Sequence, residues 1–222
     1  MKILAHDPRY KFNGREDSDS DAPVIREIWC ENVYEVFDGD LSDTGIVVDV
    51  GANIGSFTLF AAALGAKKVI AVEPEPHNLK LLHKNIDDHK SITPDCDFIV
   101  CNDAIGRHNE RLAFINDDHG DSRVIENSEM AEGMARVHMI TLERLFEQYK
   151  LEYIDVLKID IEGMEGEVIL AAPERIMNLC RYITMEYDQH SNNLGAIVEK
   201  LNQTHQVKVV GKAGGMIFAK RY

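Results

Sequence analysis

The stretch that most constrains this chain is residues 46–64, which reads I-V-V-D-V-G-A-N-I-G-S-F-T-L-F-A-A-A-L. Its first five residues are mostly apolar and β-branched, which is typical of a buried strand in a parallel sheet. A turn with Gly51 and Gly55 follows, and then a segment rich in Ala and Leu that ends at Gly65, a residue suited to a helix C-terminus. A second apolar run covers residues 68–72. This order of strand, glycine turn, helix and strand predicts a doubly wound α/β fold.

The glycine turn and the residue after the second strand predict an adenosine site. Glycine lets the backbone approach a ligand closely, and Glu73 can accept hydrogen bonds from two vicinal hydroxyls of a ribose. The turn is G-x-x-x-G rather than the G-x-G-x-x-G of dinucleotide sites, and Asp49 just before it would repel a diphosphate. Asp49 could instead hold, directly or through water, the ammonium of an amino-acid tail. This pattern favours S-adenosylmethionine over NAD, FAD or a nucleoside triphosphate, and the lack of G-K-[ST] after the turn excludes a P-loop.

The size and charge of the chain limit its partners. Its 222 residues fit one domain and call for no second one. Lys and Arg number 24 against 38 Asp and Glu, a formal charge of −14, which opposes binding to nucleic acid or anionic lipid. The four cysteines form no C-x-x-C, and no window is apolar enough for a membrane span. We therefore expect a cytoplasmic protein that acts on a small molecule, with no nucleic-acid or membrane partner, and the sequence leaves its oligomeric state open.

The chain divides into an N-terminal leader with a capping helix, residues 1–45, and one α/β domain, residues 46–222. The leader has few large apolar residues and an acidic run, so we expect it to be solvated. An apolar pattern near helical spacing over residues 24–37 predicts the capping helix, which carries Trp29. Short apolar runs separated by polar loops predict a β insertion at about 107–140.

Two elements are predicted after the second strand. The first is an amphipathic helix whose His89 we expect to be solvated. The second is a strand at residues 98–100, followed closely by Asp103. Because ligands lie outside the carboxyl ends of the strands in an open α/β sheet, Asp103 is well placed to receive an adenine amino group.

The other informative stretch is residues 153–172, where an apolar strand carries Lys158, Asp160 and Glu162 near its end. Burying an unpaired charge is unfavourable, so these three side chains must pair with one another or face a cleft. Three ionisable groups at the tip of a central strand are what a reaction site beside an adenosine cofactor needs. The next predicted strand, residues 182–187, ends in a similar way, with Glu186, Asp188 and His190.

The C-terminal region predicts one strand that runs antiparallel to the others in the sheet. Residues 207–210 and 216–219 are short apolar runs joined by a connection rich in glycine, which fits an antiparallel hairpin better than a crossover. The sheet should therefore be mostly parallel, with one antiparallel strand near the C-terminus.

With these motifs identified, the chain resembles the FkbM family of S-adenosylmethionine-dependent methyltransferases. The resemblance is carried by D-V-G-A-N-I-G at residues 49–55, E-P at 73–74, N-D-A-I-G at 102–106 and K-I-D-I-E-G-M-E at 158–165. It implies a seven-stranded Rossmann-like class I methyltransferase fold with helices on both faces, and O-methylation of a sugar or other small-molecule hydroxyl. The first three motifs imply the cofactor-binding residues Asp49, Gly51, Ala52, Asn53, Gly55, Ser56, Glu73, Pro74, Asn102, Asp103 and Ala104.

The expected reaction is in-line methyl transfer from a sulfonium to a hydroxyl, for which the protein must position the acceptor and help remove one proton. We expect Asp160 and Glu162 to line the pocket, and Lys158 to orient one of them or stabilise an alkoxide. A structural ion pair of Lys158 with Glu162 or Glu165 is the alternative interpretation. The candidate bases are Asp160, Glu162, Glu186 and His190.

Three other hypotheses stay open at this point. Asp160 with Glu186 or Asp188 could hold Mg²⁺, because hard oxygen ligands suit that ion. The fold and Glu73 would also serve a nicotinamide-dependent oxidoreductase. Finally, the chain could be a module that binds the cofactor without turnover.

Overall fold

A computed structural model describes residues 9–16, 19–115, 123–125, 135–188, 193–211 and 214–222. The strands are β1 (Ile46–Val50), β2 (Lys68–Val72), β3 (Asp97–Cys101), β4 (Ala104–Ile105), β5 (Glu110–Ile115), β6 (Arg123–Ile125), β7 (Ala135–Ile140), β8 (Ile154–Ile159), β9 (Cys180–Asp188), β10 (His205–Gly211) and β11 (Gly214–Arg221). The α-helices are α1 (Asp21–Arg26), α2 (Ser56–Leu64), α3 (Pro76–His89), α4 (Leu142–Tyr149), α5 (Glu165–Ala171), α6 (Glu174–Met177) and α7 (Leu194–Leu201).

The main sheet has seven strands in the order β10-β11-β9-β8-β1-β2-β3. Its pairs are parallel except that β11 runs antiparallel to both β9 and β10. This confirms the predicted class I methyltransferase architecture, including the antiparallel strand near the C-terminus. The chain builds outward from β1 to β2 and β3, and then returns to place β8 on the other side of β1. The carboxyl ends of β1 and β8 therefore form a topological switch point, which is where open α/β sheets bind ligands.

The two faces of the sheet are buried by different parts of the chain. Alternate residues of a strand point to opposite faces, so Val48 and Val50 enter one apolar cluster while Val47 enters another. The first cluster includes α4, α5 and α7 residues such as Leu145. The second is built with α2 and with the N-terminal segment around Trp29. Burial on both faces explains why β1 reads as a continuous apolar run broken only at Asp49.

A second, four-stranded sheet is formed in the order β4-β7-β5-β6. Its strands β5, β6 and β7 include the runs that predicted short strands in the insertion. Helix α4 then begins at Leu142, where the Thr141 side chain caps it by accepting a hydrogen bond from the Arg144 amide at 3.2 Å.

The N-terminal segment differs from the prediction. The helix predicted over residues 24–37 ends early, since α1 continues only through a π-helical turn, Glu27–Glu31, and Asn32 then takes a left-handed conformation with φ of 48°. Residues 9–16 are also not a solvated leader: the Tyr10 ring lies 4.6 Å from the Trp29 ring and 5.4 Å from the His89 ring. This short segment docks on α3 through these ring contacts and through hydrogen bonds such as that from the Asn13 amide to Asn85 Oδ1 at 2.7 Å.

His89 corrects a further expectation. Instead of being solvated, it is 2% exposed. Its Nε2 accepts a hydrogen bond from the Lys11 backbone amide at 3.1 Å, and its Nδ1 lies 2.6 Å from the Asn85 carbonyl oxygen. The sequence pattern did not predict the burial of His89, because one of its two partners is the backbone amide of Lys11, 78 positions earlier in the chain.

Within the part of the chain that the structure describes, no helix is both long and apolar enough to cross a membrane. All four cysteines are free.

Candidate functional site

The glycine turn after β1 is held at the end of β2. The amides of Gly51 and Ala52 both donate to the Val72 carbonyl, each at 2.9 Å. Gly51 has φ of +78°, and a Cβ at this position would lie 1.7 Å from the Asp160 carbonyl oxygen. At Gly55, with φ of +93°, a Cβ would lie 2.7 Å from Leu82. The requirement for glycine thus comes from packing against β8 and α3, whereas the sequence suggested approach of a ligand.

A cavity of about 130 Å³ opens at this switch point. It is lined by residues from the glycine turn, the ends of β2 and β8, the start of the second sheet, and the N-terminal segment. Seven of the predicted cofactor residues line it: Gly51, Ala52, Asn53, Ser56, Glu73, Pro74 and Ala104. Three of the predicted catalytic residues also line it: Lys158, Asp160 and Glu162.

Glu73 is an acid of the cavity that backbone amides hold in place. Its Oε2 accepts from the Asn53 amide at 2.8 Å, and its Oε1 accepts from the Glu75 amide at 2.9 Å. Burial raises the pKa of Glu73 to about 7, although these hydrogen bonds favour the charged form. A buried carboxylate held by backbone amides, with remaining lone pairs beside a cavity, is suited to accept hydrogen bonds from ribose hydroxyls.

Two polar atoms beside Glu73 have no hydrogen-bond partner among the described residues. They are Asn53 Oδ1 and Ser56 Oγ, and both residues line the cavity. An unsatisfied buried polar group is unfavourable, and a ligand can satisfy it. The cofactor wall of the cavity, which we define as residues 51–56 with Glu73, therefore fits a polar ligand such as an adenosine with an amino-acid tail.

Asp49 is placed differently from the simplest expectation. It is fully buried behind the cavity wall, where its Oδ2 accepts from Thr58 Oγ1 at 2.6 Å and its Oδ1 lies 3.0 Å from Lys158 Nζ. Lys158 also donates to the Gly51 carbonyl at 2.7 Å. The Asp49 carboxylate, which we expected to hold the ammonium of the cofactor's amino-acid tail, is thus paired with Lys158 inside the protein. A direct role of Asp49 at the cofactor stays a prediction, and the structure adds its role in orienting Lys158.

Lys158 is the buried cation of the site. Burial lowers its pKa, but the charges of Asp49 and Asp160 outweigh burial, and the net pKa is raised. Its Nζ lies 3.9 Å from Asp160 Oδ2, and 5.4 Å from the centre of the Tyr34 ring. Lys158 is therefore an ammonium at neutral pH, and its close ion pair is with Asp49 rather than with the Glu162 or Glu165 that the sequence offered.

Asp160 lies at the meeting point of three elements. Its Oδ2 accepts from Tyr34 Oη at 2.6 Å, and the adjacent strand β9 brings Glu186 near it. Although part of the Glu186 side chain is exposed, partial burial, followed by the charge of Asp160, raises the pKa of Glu186 to about 8. Glu186 can therefore gain or lose a proton near neutral pH beside Asp160, as a group that takes part in proton transfer must.

The turn after β8 presents Glu162 to the cavity. Glu162 has φ of 59° and is followed by Gly163 with φ of 102°. The turn is held by Glu165, whose Oε1 accepts from the Ile161 amide at 2.8 Å and from the Gly163 amide at 3.2 Å. Residues 162–165, the E-G-M-E part of the motif, thus form a turn in which the hydrogen bonds to Glu165 fix the position of Glu162.

The remaining predicted residues are less closely involved. Asn102 is exposed, and Asp103 Oδ1 lies 3.3 Å from His138 Nδ1, so their contact with adenine stays a prediction. His190 and the side chain of Asp188 lie outside the described residues. Among the described residues, no group of three His, Cys, Asp or Glu side chains could hold a metal ion, so the Mg²⁺ hypothesis gains no support.

The sequence interpretation missed cavity residues from the N-terminal segment. Asp21, Val24, Ile28 and Tyr34 all line the cavity. The apolar spacing of residues 24–37 gave a signal for packing, but nothing in it distinguished a residue that reaches the site from one that only fills the core.

Comparison with known proteins identifies the family. The family model described as Methyltransferase FkbM domain matches residues 49–207. Methyltransferase sdnD of Sordaria araneosa is 24% identical, over 73% of this chain and 73% of that protein. The AMB antimetabolite synthetase AmbE of Pseudomonas aeruginosa is 26% identical, over 73% of this chain and 9% of that protein.

A solved structure has the same fold. It is a Streptococcus mutans protein in complex with SAH, with a TM-score of 0.54 and 13% identity, covering 86% of this chain and 97% of that chain. Because the family model spans more than half of the sequence and its first motif forms the cavity described above, the chain belongs to the FkbM methyltransferase family.

Proposed function

We propose that this protein transfers a methyl group from S-adenosylmethionine to a hydroxyl of a sugar or another small-molecule natural-product acceptor. The observation that carries the proposal is the cofactor wall, where a buried Glu73 is held by two backbone amides beside the unsatisfied Asn53 Oδ1 and Ser56 Oγ. These groups match the ribose and the polar tail of the cofactor in chemistry.

The residues of the cofactor wall would bind and orient the cofactor. Glu73 would accept hydrogen bonds from both ribose hydroxyls, and Asp103 and Ala104, after β3, would lie toward the adenine. Asn53 and Ser56 would satisfy their free oxygens on the amino-acid tail. Bound S-adenosylmethionine supplies an activated methyl group on a sulfonium.

The ends of β8 and β9 would handle the acceptor. As the new carbon–oxygen bond forms and the sulfur–carbon bond breaks, the acceptor O–H bond must also break, and its proton needs a base. Asp160 lines the cavity beside Glu186, whose raised pKa lets this carboxyl pair exchange a proton near neutral pH. We assign the proton to this pair, from which it can pass to water through the exposed part of Glu186.

The acceptor class rests on charge and on the relatives. A formal charge of −14 opposes acceptors with long phosphate backbones, so we do not expect a nucleic-acid or membrane partner. The antimetabolite synthetase among the relatives is named for making a small molecule, which supports a small-molecule acceptor. We also keep the expectation of a cytoplasmic protein.

The first test is ligand binding. A thermal-shift comparison should show stabilisation by SAH and none by NAD, because a ligand that binds only the folded state at about 100 times its Kd stabilises it by roughly 2.7 kcal/mol. Stabilisation by NAD instead of SAH would identify the nicotinamide-dependent oxidoreductase and refute the proposal.

The second test is turnover. With methyl-labelled S-adenosylmethionine, a panel of sugars and phenols should yield a labelled product whose new group is an O-methyl ether by mass spectrometry. The label should still be transferred in the presence of EDTA, since no acidic cluster for a metal is found among the described residues. SAH binding without transfer to any member of a broad panel would favour the binding module.

A further inference from the structure

We propose that Tyr34, a residue outside the family-matched segment 49–207, is a positioning residue that fixes the reactive carboxylate of Asp160. The Tyr34 hydroxyl donates to Asp160 Oδ2 at 2.6 Å, across 126 positions of sequence. This inference rests on the proposed methyl transfer, in which Asp160 takes the proton from the hydroxyl that is methylated.

The loop that carries Tyr34 is held rigidly. The Asn32 side chain donates from Nδ2 to the Val36 carbonyl at 3.0 Å and accepts from the Val36 amide at 3.2 Å. The Tyr34 carbonyl accepts from Tyr182 Oη at 3.3 Å, and the Tyr34 ring packs edge-on against Phe57 with 5.1 Å between centroids. Tyr34 is 6% exposed, so its hydroxyl has little freedom to leave Asp160.

Tyr34 is also the closest donor to Asp160 Oδ2 among the contacts that the structure describes. Lys158 Nζ is 3.9 Å from the same oxygen and makes shorter contacts with Asp49 and Gly51. Burial, followed by the charge of Asp160, raises the pKa of Tyr34 well above its usual range, so the phenol is a hydrogen-bond donor at neutral pH. The Tyr34 hydroxyl therefore fixes the orientation of the Asp160 carboxyl group.

The consequence concerns the carboxyl pair of Asp160 and Glu186. The charged groups around Asp160 are Asp49 and Lys158 from β1 and β8, Glu186 from β9, and Glu162 and Glu165 from the turn after β8. With Tyr34 donating to its Oδ2, the Asp160 carboxyl is held in one orientation at the cavity, beside Glu186, whose pKa is raised to about 8. Tyr34 thus sets the orientation of the proposed base.

The experiment is Tyr34→Phe, which keeps the aromatic ring over Lys158 and against Phe57 and removes only the hydroxyl. We expect kcat to fall by roughly 10- to 100-fold, which is less than the loss of about 100- to 10,000-fold for a proton-transfer group itself, with the KM for S-adenosylmethionine changed less than about twofold. The kcat–pH profile should also shift, because the carboxyl pair of Asp160 and Glu186 loses the hydrogen bond from the Tyr34 hydroxyl.

Tyr182→Phe is the matched control. It removes a buried tyrosine hydroxyl that supports the same loop through the Tyr34 carbonyl but does not contact Asp160. If Tyr34 serves only the fold, both variants will lower Tm and neither will move the pH profile. An unchanged kcat and pH profile in Tyr34→Phe overturns the proposal.

A measurement without turnover separates this inference from the proposed function. Infrared difference spectra of the carboxyl stretch follow protonation of the Asp160 and Glu186 pair in the free protein, and Tyr34→Phe should shift that titration while Tyr182→Phe should not. An unshifted titration refutes the positioning role of Tyr34. Failure of the wild-type protein to bind SAH or to transfer a methyl group would instead refute the proposed function.

Discussion

The two walls of the cavity are built in different ways. The cofactor wall is made of neighbours in sequence: Glu73 is bonded to Asn53, 20 residues away, and to Glu75, two residues away. The reaction wall, which we define as the cavity-lining Tyr34, Lys158 and Asp160 together with their neighbours Asp49 and Glu186, is made of distant residues. Tyr34 and Asp160 are 126 positions apart. The first wall holds its acid with backbone amides, whereas the second holds charges with other charges and one phenol.

Because the two walls are built differently, we expect them to respond differently to mutation. Backbone amides stay in place when a side chain is changed, so a substitution of Glu73 should affect ligand binding more than folding. Charges that depend on one another leave an uncompensated partner when one is removed. Substitutions in the reaction wall should therefore affect folding and activity together.

The largest expected effect is on the buried ion pair. Lys158→Met leaves Asp49 charged and buried without its cation, and we expect a loss of about 3–5 kcal/mol in the free energy of unfolding by chemical denaturation. The double variant Lys158→Met with Asp49→Asn should recover a substantial part of this loss.

Lys208→Met is the control for that experiment, because Lys208 pairs with Glu35 at an exposed position and should contribute about 0–1 kcal/mol. Equal losses in the Lys158 and Lys208 variants would show that the reaction wall is not organised by interdependent charges.

The second prediction concerns the pH dependence of cofactor binding. Glu73 has a folded-state pKa of about 7, and hydrogen bonds from ribose hydroxyls favour its ionised form. The affinity for SAH should therefore rise with pH through 7, by roughly tenfold between pH 6 and pH 8, as measured by calorimetry. Glu73→Gln should bind more weakly and show no such rise.

Glu75→Gln provides the comparison for Glu73. Glu75 is equally buried but caps α3 by accepting from the Asn78 amide, so this change should alter stability and leave the pH dependence of binding intact. If the affinity of the wild-type protein does not depend on pH, Glu73 is not the ribose ligand.

The smallest expected effect is at Asp103. A single hydrogen bond to the adenine amino group is worth about 1 kcal/mol, so Asp103→Asn should weaken SAH binding by roughly fivefold. His138→Ala removes the neighbour of Asp103 and should leave the affinity unchanged. The same loss in both variants would indicate that Asp103 only positions the second sheet.

Most of the cofactor wall could be predicted because its information is local. Apolar runs, glycines and the position of Glu73 follow one another within about thirty residues, and the hydrogen bonds that organise them join near neighbours. The same holds for the hairpin of β10 and β11, whose short connection permits only an antiparallel pair.

The sequence alone therefore determined the strand, turn and helix unit, the acid after β2, and the presence of charges at the end of β8. Only the tertiary structure decided that Lys158 pairs with Asp49, that the space at Gly51 is required by the Asp160 carbonyl, that His89 is buried, and that Tyr34 reaches Asp160. The physical reason is that each of these contacts exists only because β8 lies beside β1 and because the N-terminal segment packs across the sheet, and neither adjacency is encoded in the residues next to the ones that meet.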